Sequence, residues 1–447
     1  MADLEKLAGK MLEAAQKAGA AAADAIVIRG DSLSIEVANG ALEHAERAEG
    51  IDLGLRVLIG QRSAVVSVSD ASDATIAVMA ERAVAMAKAA PEDPHVGLAD
   101  GSQLAKSWDV DALELVDPAE AANPESLKDM ALAAEAAALA VNGVTKVDSA
   151  GGSYSKSSIH LATSNGFSGG YARSSTGLYC TAISGEGLKM ERDYKGDSRV
   201  FASEMLSADE IGRIAGERAA ALQGASQPPT GACPVLFDER ISSSLIGHLV
   251  SAINGRSVAR GMSWLKDAMG EQVLPAGMDL VEDPFRKRVG GSKPFDGEGL
   301  ATTQRAWVEN GVLKSWVLDL ASARQLGMES TGNAARGAGS APSPSVGNLT
   351  LTPGQKTREA LIAEMGTGLI VTSMIGSSVN PNTGEYSRGA SGFWVENGEV
   401  VRPVNECTVA GNLREMLGGL IAANDGQAHL SRVVPSLLVE GLTIAGS

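Results

Sequence analysis

The sequence contains few of the residues from which metal sites and disulfide bridges are built. Its 447 residues include only five histidines and three cysteines. No two histidines stand three to five positions apart, so the helical pair that usually supplies two zinc ligands is absent. The cysteines are far apart and form no CxxC motif, which is typical of proteins from a reducing compartment. We therefore expect a cytoplasmic protein without a disulfide framework.

Positive charge and long apolar runs are also scarce. The chain has 38 Lys and Arg against 54 Asp and Glu, which gives a net charge of −16. Nucleic-acid binding needs clustered cations that displace counterions from phosphates, and an acidic protein is not drawn to anionic membranes. The apolar window 130–141 is too short to span a bilayer and is interrupted by Glu135. We expect neither nucleic acid nor a membrane as a partner.

The rest of the composition is that of an ordinary globular protein, with 44% hydrophobic and 21% charged residues. The length suggests two or three domains. Apolar residues at helical spacing predict a first helix that ends at Gly19 and a second helix from about 72 to 90. Strand patterns lie between the two helices, at 26–28, 33–37, 51–57 and 63–68. We interpret residues 1–110 as an N-terminal α+β subdomain.

Another stretch of helix, strands and helix follows. Helices are predicted at 124–141 and 207–223, and the strands between them lie at 144–148, 157–163 and 170–184. Residues 225–231, which include two adjacent prolines, form the clearest domain boundary. We predict a middle α+β subdomain at 111–227 and a β-rich C-terminal domain at 228–447. The predicted fold class is therefore α+β.

The C-terminal domain contains a short internal repeat. The pentapeptide Trp-Val-Glu-Asn-Gly occurs at 307–311 and again at 394–398. Each copy runs from a strand pattern into an Asn-Gly pair, which is the strongest short signal for a β-hairpin. We interpret the copies as two similar hairpins in one sheet. A duplication of a larger unit is the alternative.

The sequence offers few candidates for catalysis. It has no GxSxG elbow, Walker loop or GxGxxG motif. Asp296 and Glu298 lie in a glycine-rich segment and could act as an acid–base pair, although solvated turn residues are the more common case. His248 lies in an apolar helical run and is more simply a core or interface histidine. Cys407 has no histidine near it in sequence, so a buried inert thiol is the favoured interpretation.

Several segments, in conserved order along nearly the whole chain, resemble the TldD/PmbA family. The residues at 247–250 and 386–389 resemble those of its TldE (PmbA) branch. The segments that carry the resemblance are 164–166, 295–299, 308–313, 330–334, 374–380, 383–390, 392–398, 403–404, 408–413 and 442–446.

The resemblance also implies where a metal would bind in the other branch. TldD-like members use a helical HExxxH motif and a later cysteine, so that two histidines hold the ion and the glutamate polarises its water. The corresponding stretch here is 243–248, where Ser243 and Ser244 replace the first histidine and the glutamate. Only His248 matches, and no cysteine follows in 424–435. We expect no catalytic or metal-binding residue and no cofactor in this chain, with zinc in the TldD-like partner.

The resemblance implies the role of a partner subunit. TldE-like chains pair with a TldD-like chain in a heterodimer that degrades unfolded polypeptides and trims peptide precursors such as microcin leaders. The family is one of metallopeptidases, and this chain is expected to act only with its partner, although it could form a homodimer when alone. Candidate peptide-channel or interface residues are His248, Asp296, Glu298, Tyr386, Ser387 and Arg388.

Two other functions remain open from the sequence. The chain could be an independent hydrolase with a zinc-free site built from His248 with Asp296 or Glu298. It could also be a binding module that captures extended peptides by strand addition, in which main-chain hydrogen bonds supply the affinity. A free sheet edge in the C-terminal domain would favour the binding module.

Overall fold

The first half of the chain forms one antiparallel sheet with four helices. In the computed structural model residues 1–447 are described, apart from the side chain of Ser377. The six strands of the sheet follow the order β3-β2-β1-β4-β5-β6. The elements of this half are α1 (Ala2–Ala18), β1 (Ala22–Ala38), β2 (Ala41–Ile59), β3 (Arg62–Val68), α2 (Asp73–Ala89), α3 (Pro124–Leu139), β4 (Val144–Thr163), β5 (Ser168–Ser184), β6 (Glu191–Arg199) and α4 (Ala208–Ala221).

This sheet is built from two units of the same design. Each unit consists of a helix, three antiparallel strands and a second helix, and the units join where β1 pairs with β4. The helices α1 and α2 pack on the first unit, and α3 and α4 pack on the second. The regions predicted as separate subdomains, 1–110 and 111–227, therefore share one sheet.

Local sequence signals explain where several of these helices begin and end. Gly19 ends α1 in the left-handed conformation with a φ of 99°, which costs glycine no steric strain. Pro124 occupies the first turn of α3, where its missing N–H would be unpaired in any case. Asn123 and Ser126 form a reciprocal capping box at the same end. The predicted helices therefore lie close to the observed ones.

The strands are longer than the sequence patterns predict. The separate segments predicted at 26–28 and 33–37 are parts of the continuous strand β1, and β4 joins two more predicted segments. The first ten residues of β2, Ala41–Gly50, are exposed on both faces, and β6 at the sheet edge was not predicted. Without one buried face, a strand shows no apolar alternation, so the pattern could not reveal these parts.

The second half of the chain is rich in strands, as predicted, and contains a barrel. The strand order β16-β15-β14-β7-β19-β17 closes through a further pairing of β16 with β19. A five-stranded sheet and the two-stranded β11–β12 ribbon lie beside it. The elements are β7 (Gly231–Phe237), α5 (Glu239–Ala252), α6 (Gly255–Ala259), β8 (Leu280–Glu282), β9 (Arg305–Glu309), β10 (Val312–Leu313), α7 (Leu320–Gln325), β11 (Ala334–Ala335), β12 (Ser343–Pro344), β13 (Leu349–Leu351), α8 (Arg358–Met365), β14 (Gly368–Val379), β15 (Glu385–Glu396), β16 (Glu399–Asn412), α9 (Leu413–Gly418), β17 (Ile421–Ala422), β18 (Arg432–Val433) and β19 (Leu437–Ala445).

Both copies of the repeated pentapeptide form hairpins, but in different sheets. The turn residues Asn310, Gly311, Asn397 and Gly398 all have positive φ, as this two-residue turn requires. The first copy joins β9 to β10 in the five-stranded sheet, and the second joins β15 to β16 in the barrel. The prediction of two hairpins in one sheet is therefore wrong, because the local turn signal carries no information about long-range pairing.

The two halves meet at a buried group of charges. Asp24 of β1 is 1% exposed and accepts hydrogen bonds from Nε of Arg56, at 2.7 Å, and from Nη1 of Arg336. Arg336 comes from the loop between β11 and β12, so this ribbon reaches from the second half onto the first sheet. Gly54 permits the approach, because a Cβ there would lie 2.1 Å from the carbonyl oxygen of Ala338.

An aromatic cluster extends the same contact. The ring of Phe295, from the second half, lies 5.0 Å from Trp108 and 5.0 Å from Phe167, and 5.5 Å from Tyr171. These edge-to-face contacts fix ring orientation as well as burying apolar area.

Among the helices that the structure describes, none is long and apolar enough to cross a membrane.

We predict that Asp24→Asn destabilises the protein strongly. The change removes the charge that neutralises two buried guanidinium groups, and breaking such a cluster typically costs about 3–5 kcal/mol. Denaturant unfolding at neutral pH measures the loss. Asp31→Asn is the matched control on the same strand, because its ion pair with Arg47 is exposed and is expected to contribute less than about 1 kcal/mol. Equal, small losses in both variants would contradict the prediction.

Candidate functional site

The helix α5 carries His248, the only histidine among the predicted site residues. Its first turn is anchored by Arg240, whose Nη1 donates to Asp193 of β6 at 2.9 Å, and its apolar face packs into the barrel core. His248 projects from the last turns of α5 toward β15, where its ring meets Tyr386 edge to face at 5.7 Å. Among the described residues, the buried Nε2 atom of His248 has no hydrogen-bond partner.

The surroundings of His248 favour a neutral ring. Burial lowers the pKa of His248, and the nearby Arg388 guanidinium lowers it further. Burial also raises the pKa of Tyr386 to about 12, so this phenol keeps its proton. The Nε atom of Arg388 donates to the carbonyl of Gly376 at 2.7 Å, which ties β15 to β14. Three of the predicted site residues therefore lie together, with Ser387 between two of them on β15.

These residues do not fit a metal ion. A zinc site needs three or four nitrogen, sulfur or oxygen ligands at close range. In the part of the chain that the structure describes, no group of three or more His, Cys, Asp or Glu side chains lies together in a suitable arrangement. The charged side chain that acts on His248 is a guanidinium, which repels a cation. We therefore derive no metal-assisted step at this position.

A groove lies beside this group. It has a volume of about 490 Å³ and is lined by Ser378, Val379, Asn380, Glu385, Tyr386 and Ser387. Next to it, β14 pairs with β7 only at Leu369–Val371, so among the described strands its outer half, 372–379, pairs with β15 alone. Ile375 in this half is 78% exposed. The arrangement offers main-chain groups and an apolar side chain to an extended peptide, and a neutral histidine without an acidic partner.

Asp296 and Glu298 lie elsewhere, at the contact between the two halves. They are 2% and 6% exposed, so the favoured interpretation of solvated turn residues is wrong. Asp296 accepts backbone N–H groups of Ala334 at 3.0 Å, Leu300 at 2.9 Å and Glu298 at 2.9 Å, which holds the turn inside the protein. The contacts of this pair and of His248 are different, because the carboxyl groups accept from backbone N–H groups of Ala334 and Leu320, whereas the His248 ring meets Tyr386 of the barrel.

The two carboxyl groups differ in the hydrogen bonds that they accept. Burial raises the pKa of both, and the neighbouring Asp296 charge raises the pKa of Glu298 further, to about 8. Asp296 accepts three backbone hydrogen bonds and Glu298 accepts one, from Leu320 at 2.9 Å. Hydrogen bonds to a carboxylate favour its charged form. These hydrogen bonds favour the charged form of Asp296 more than that of Glu298, so Glu298 is the member of the pair that binds a proton more readily.

The three cysteines are not suited to nucleophilic chemistry. Burial raises the pKa of Cys180 to about 12 and of Cys233 to about 11. Cys407 is buried, its pKa is also raised by burial, and its Sγ donates to the carbonyl of Ala390 at 3.2 Å. Because the thiolate is the reactive form, all three are expected to be inert at neutral pH.

Sequence reasoning did not identify the buried charge cluster of Asp24, Arg56 and Arg336. One signal was available, because Arg56 interrupts an apolar strand pattern between Leu55 and Val57. A charged side chain in a buried strand is almost always paired. The partner could not be inferred, since Arg336 is far away in sequence and lies in an irregular loop.

Models of three protein domains match successive parts of the chain. They are described as PmbA/TldA metallopeptidase domain 1, central domain and C-terminal domain, and they match residues 23–87, 107–223 and 230–446. A protein named metalloprotease PmbA, from Escherichia coli O157:H7, is 34% identical over 95% of this chain and 92% of its own length. A PmbA homologue from Haemophilus influenzae is 35% identical over 100% of this chain and 96% of its own.

Solved structures share the fold over the whole length. A protein from Bacteroides thetaiotaomicron, labelled a candidate modulator of DNA gyrase, matches with a TM-score of 0.90, 26% identity and 100% coverage of both chains. TldE from Thermococcus kodakarensis matches with a TM-score of 0.84 and 20% identity, over 98% of this chain and 100% of its own. The second similarity concerns the fold alone.

We predict that Glu298→Gln flattens the pH dependence of stability. The pKa of Glu298 is about 8 in the folded protein and about 4.5 when unperturbed, so between these values the folded state holds a proton that the unfolded state has lost. The free energy of unfolding contributed by this group is therefore full below pH 4.5 and is lost as the pH rises through 8. Each unit of pKa difference corresponds to about 1.4 kcal/mol.

Denaturant unfolding between pH 5 and pH 9 measures this effect. Relative to the wild type, Glu298→Gln is expected to gain more than about 1 kcal/mol as the pH rises across this window. Glu329→Gln, which changes an exposed carboxyl group, is the matched control and is expected to follow the wild type. Parallel pH profiles for wild type and Glu298→Gln would show that Glu298 is ionised in the folded protein.

Proposed function

The chain belongs to the PmbA/TldD metallopeptidase family, and on this premise we propose that it is the non-catalytic, TldE-like subunit of a heterodimeric metalloprotease. In this proposal a TldD-like partner binds the zinc ion and performs the hydrolysis. The substrates are unfolded polypeptides and peptide precursors of the microcin kind, and the complex works in the cytoplasm. The chain contributes part of the substrate path.

The observation that carries the proposal is the isolation of His248 on α5. Ser243 and Ser244 stand where the metal-binding motif has its first histidine and its glutamate. The group that does approach His248 is the Arg388 guanidinium, which lowers the pKa of the ring and disfavours a bound cation. One histidine beside a positive charge is a poor metal site. In the proposal, the partner therefore supplies the metal centre, and this chain supplies other parts of the protease.

The contribution to substrate binding is placed beside the same helix. The outer half of β14 has an unpaired edge in the strand pattern, and the 490 Å³ groove lies at its end. An extended peptide can add to such an edge through main-chain hydrogen bonds, which accept many sequences. The free edge therefore supports strand addition as the way in which the subunit binds its peptide substrate. The binding-module hypothesis is in this way included in the proposal.

The independent-hydrolase hypothesis has less support. It requires His248 to work with Asp296 or Glu298, and a general base must lie within hydrogen-bond reach of its partner. Asp296 and Glu298 are bound to backbone groups at the contact of the two halves, whereas His248 contacts Tyr386 of the barrel. The residues proposed for that site therefore sit in different parts of the molecule.

Reconstitution with a TldD-like chain from the same genome tests the proposal. We predict that this chain alone does not cleave an unfolded fluorogenic polypeptide, that the partner alone is weakly active, and that the mixture is at least about tenfold more active. Replacing the motif glutamate of the partner with glutamine should abolish activity, because that group polarises the metal-bound water. His248→Ala in this chain should leave the chemistry intact and serves as the matched change on α5.

Two outcomes would contradict the proposal. A mixture no more active than the TldD-like chain alone would remove the partner role. Turnover by this chain alone that is lost in His248→Ala would establish the independent hydrolase.

A further inference from the structure

A second cleft lies between the two halves of the molecule, away from the groove beside His248. It has a volume of about 270 Å³ and is lined on one side by the first sheet and the segment after α2, and on the other by the second half. Sites for drug-sized molecules usually measure about 300–1,000 Å³. This cleft is slightly smaller than that range, so it suits a smaller ligand, of amino-acid size. The lining residues that matter here are Arg56, Asp93, Arg256, Glu298, Asp319 and Ala341.

The floor of the cleft has more hydrogen-bond donors than acceptors. Arg56 is 6% exposed and uses Nε and Nη2 for Asp24, so among the described residues its Nη1 group has no protein acceptor. Arg336 is bound to the same carboxylate, and its buried Nε and Nη2 atoms have no partner in the described part of the chain. Arg56 lines the cleft and Arg336 does not, so Arg56 is the guanidinium group that an incoming ligand can reach.

The carboxyl groups of the floor do not supply the missing acceptors. Asp319 already accepts from Ser322 at 2.8 Å and from Nη2 of Arg256 at 2.9 Å. Glu298 keeps its proton at neutral pH, because burial and the Asp296 charge raise its pKa to about 8. The floor therefore presents a guanidinium group and a neutral carboxyl group, and both can donate to an incoming carboxylate.

The rim has the opposite character on one side. The exposed Asp93 lines the cleft, and its Oδ1 accepts the backbone N–H of His95 at 2.9 Å, which leaves Oδ2 available. Arg324 fixes this rim segment by donating to the carbonyl of Leu98 at 2.6 Å. The exposed Arg260 also lines the cleft, on the side of the second half. A cleft with cationic donors at the floor and a carboxylate on the first-half side of the rim complements a molecule that carries a carboxylate next to an ammonium group.

We propose that this interdomain cleft binds the zwitterionic end of a small ligand, a free amino acid or a short peptide, with its carboxylate on Arg56 and Glu298 and its amine toward Asp93. The site is independent of the proposed subunit role, because it uses neither α5 nor the groove beside His248. Since its walls come from both halves, a bound ligand holds them together and stabilises the folded chain.

The test uses the purified full-length chain, without a partner subunit. Calorimetry and thermal unfolding are measured with glycine and with alanyl-alanine, and with two controls that each lack one charge, alaninamide and acetate. We expect saturable binding and a raised Tm for the zwitterions, and at least about tenfold weaker binding for alaninamide, because it has no carboxylate. If glycine binds more tightly than alanyl-alanine, the ligand is a free amino acid. If alanyl-alanine binds more tightly, the ligand is the end of a short peptide.

Variants separate the cleft from general effects. Ala341→Trp places a bulky side chain on an exposed position of the lining and is expected to weaken binding at least about tenfold. Ala45→Trp, on the exposed part of β2, is the matched control and should bind like the wild type.

The proposal is overturned by either of two results. One is the absence of saturable binding for both zwitterions at concentrations where affinities of about 1 mM are measurable. The other is binding that Ala341→Trp leaves unchanged. Neither result bears on the reconstitution of protease activity, so failure of this site and failure of the subunit role are distinguishable.

Discussion

The arrangement of the whole molecule depends on one buried carboxylate. Asp24 lies in β1, whose pairing with β4 joins the two units of the first sheet, and it binds both Arg56 and Arg336. Burying an unpaired charge costs much free energy of folding. The carboxylate and the two guanidinium groups therefore each depend on the other to be buried. Their attraction outweighs the opposing effect of burial and keeps the pKa of Asp24 below its usual value.

This constraint positions the elements around it. Arg336 can reach Asp24 only if the β11–β12 ribbon lies across the first sheet, and Gly54 leaves room for that crossing. The same docking brings Glu298 opposite Arg56 and places Phe295 among the rings of Trp108 and Phe167. The interdomain cleft is therefore a consequence of how the charges are satisfied. Apolar packing alone would fix the distance between the halves less specifically.

In the barrel, the helix α5 and the free edge of β14 have different roles. Its helix α5 occupies the position where catalytic relatives are expected to hold their metal, but here that helix contributes apolar side chains to the core and a single histidine. The open edge of β14 beside it keeps the capacity to bind an extended chain. This arrangement suits the proposed subunit, which guides substrate toward a centre on another chain.

Much of the local structure could be predicted from the sequence, and the long-range structure could not. Gly19, Pro124 and the two Asn-Gly pairs act within a few residues, so helix ends and hairpins were found close to their true positions. The sheet to which each hairpin belongs depends on distant partners. At the candidate site, the helix that carries His248 was visible in the sequence as an apolar helical run. The burial of Asp296 and Glu298 was not, since it depends on contacts with Ala334, Leu320 and Arg56.

Native mass spectrometry of this chain mixed with a zinc-loaded TldD-like chain tests the central claim most directly. We expect a one-to-one complex that contains only the zinc brought by the partner, and a metal-free mass for this chain on its own. Separate subunits with no complex, or stoichiometric zinc bound to this chain alone, would contradict it.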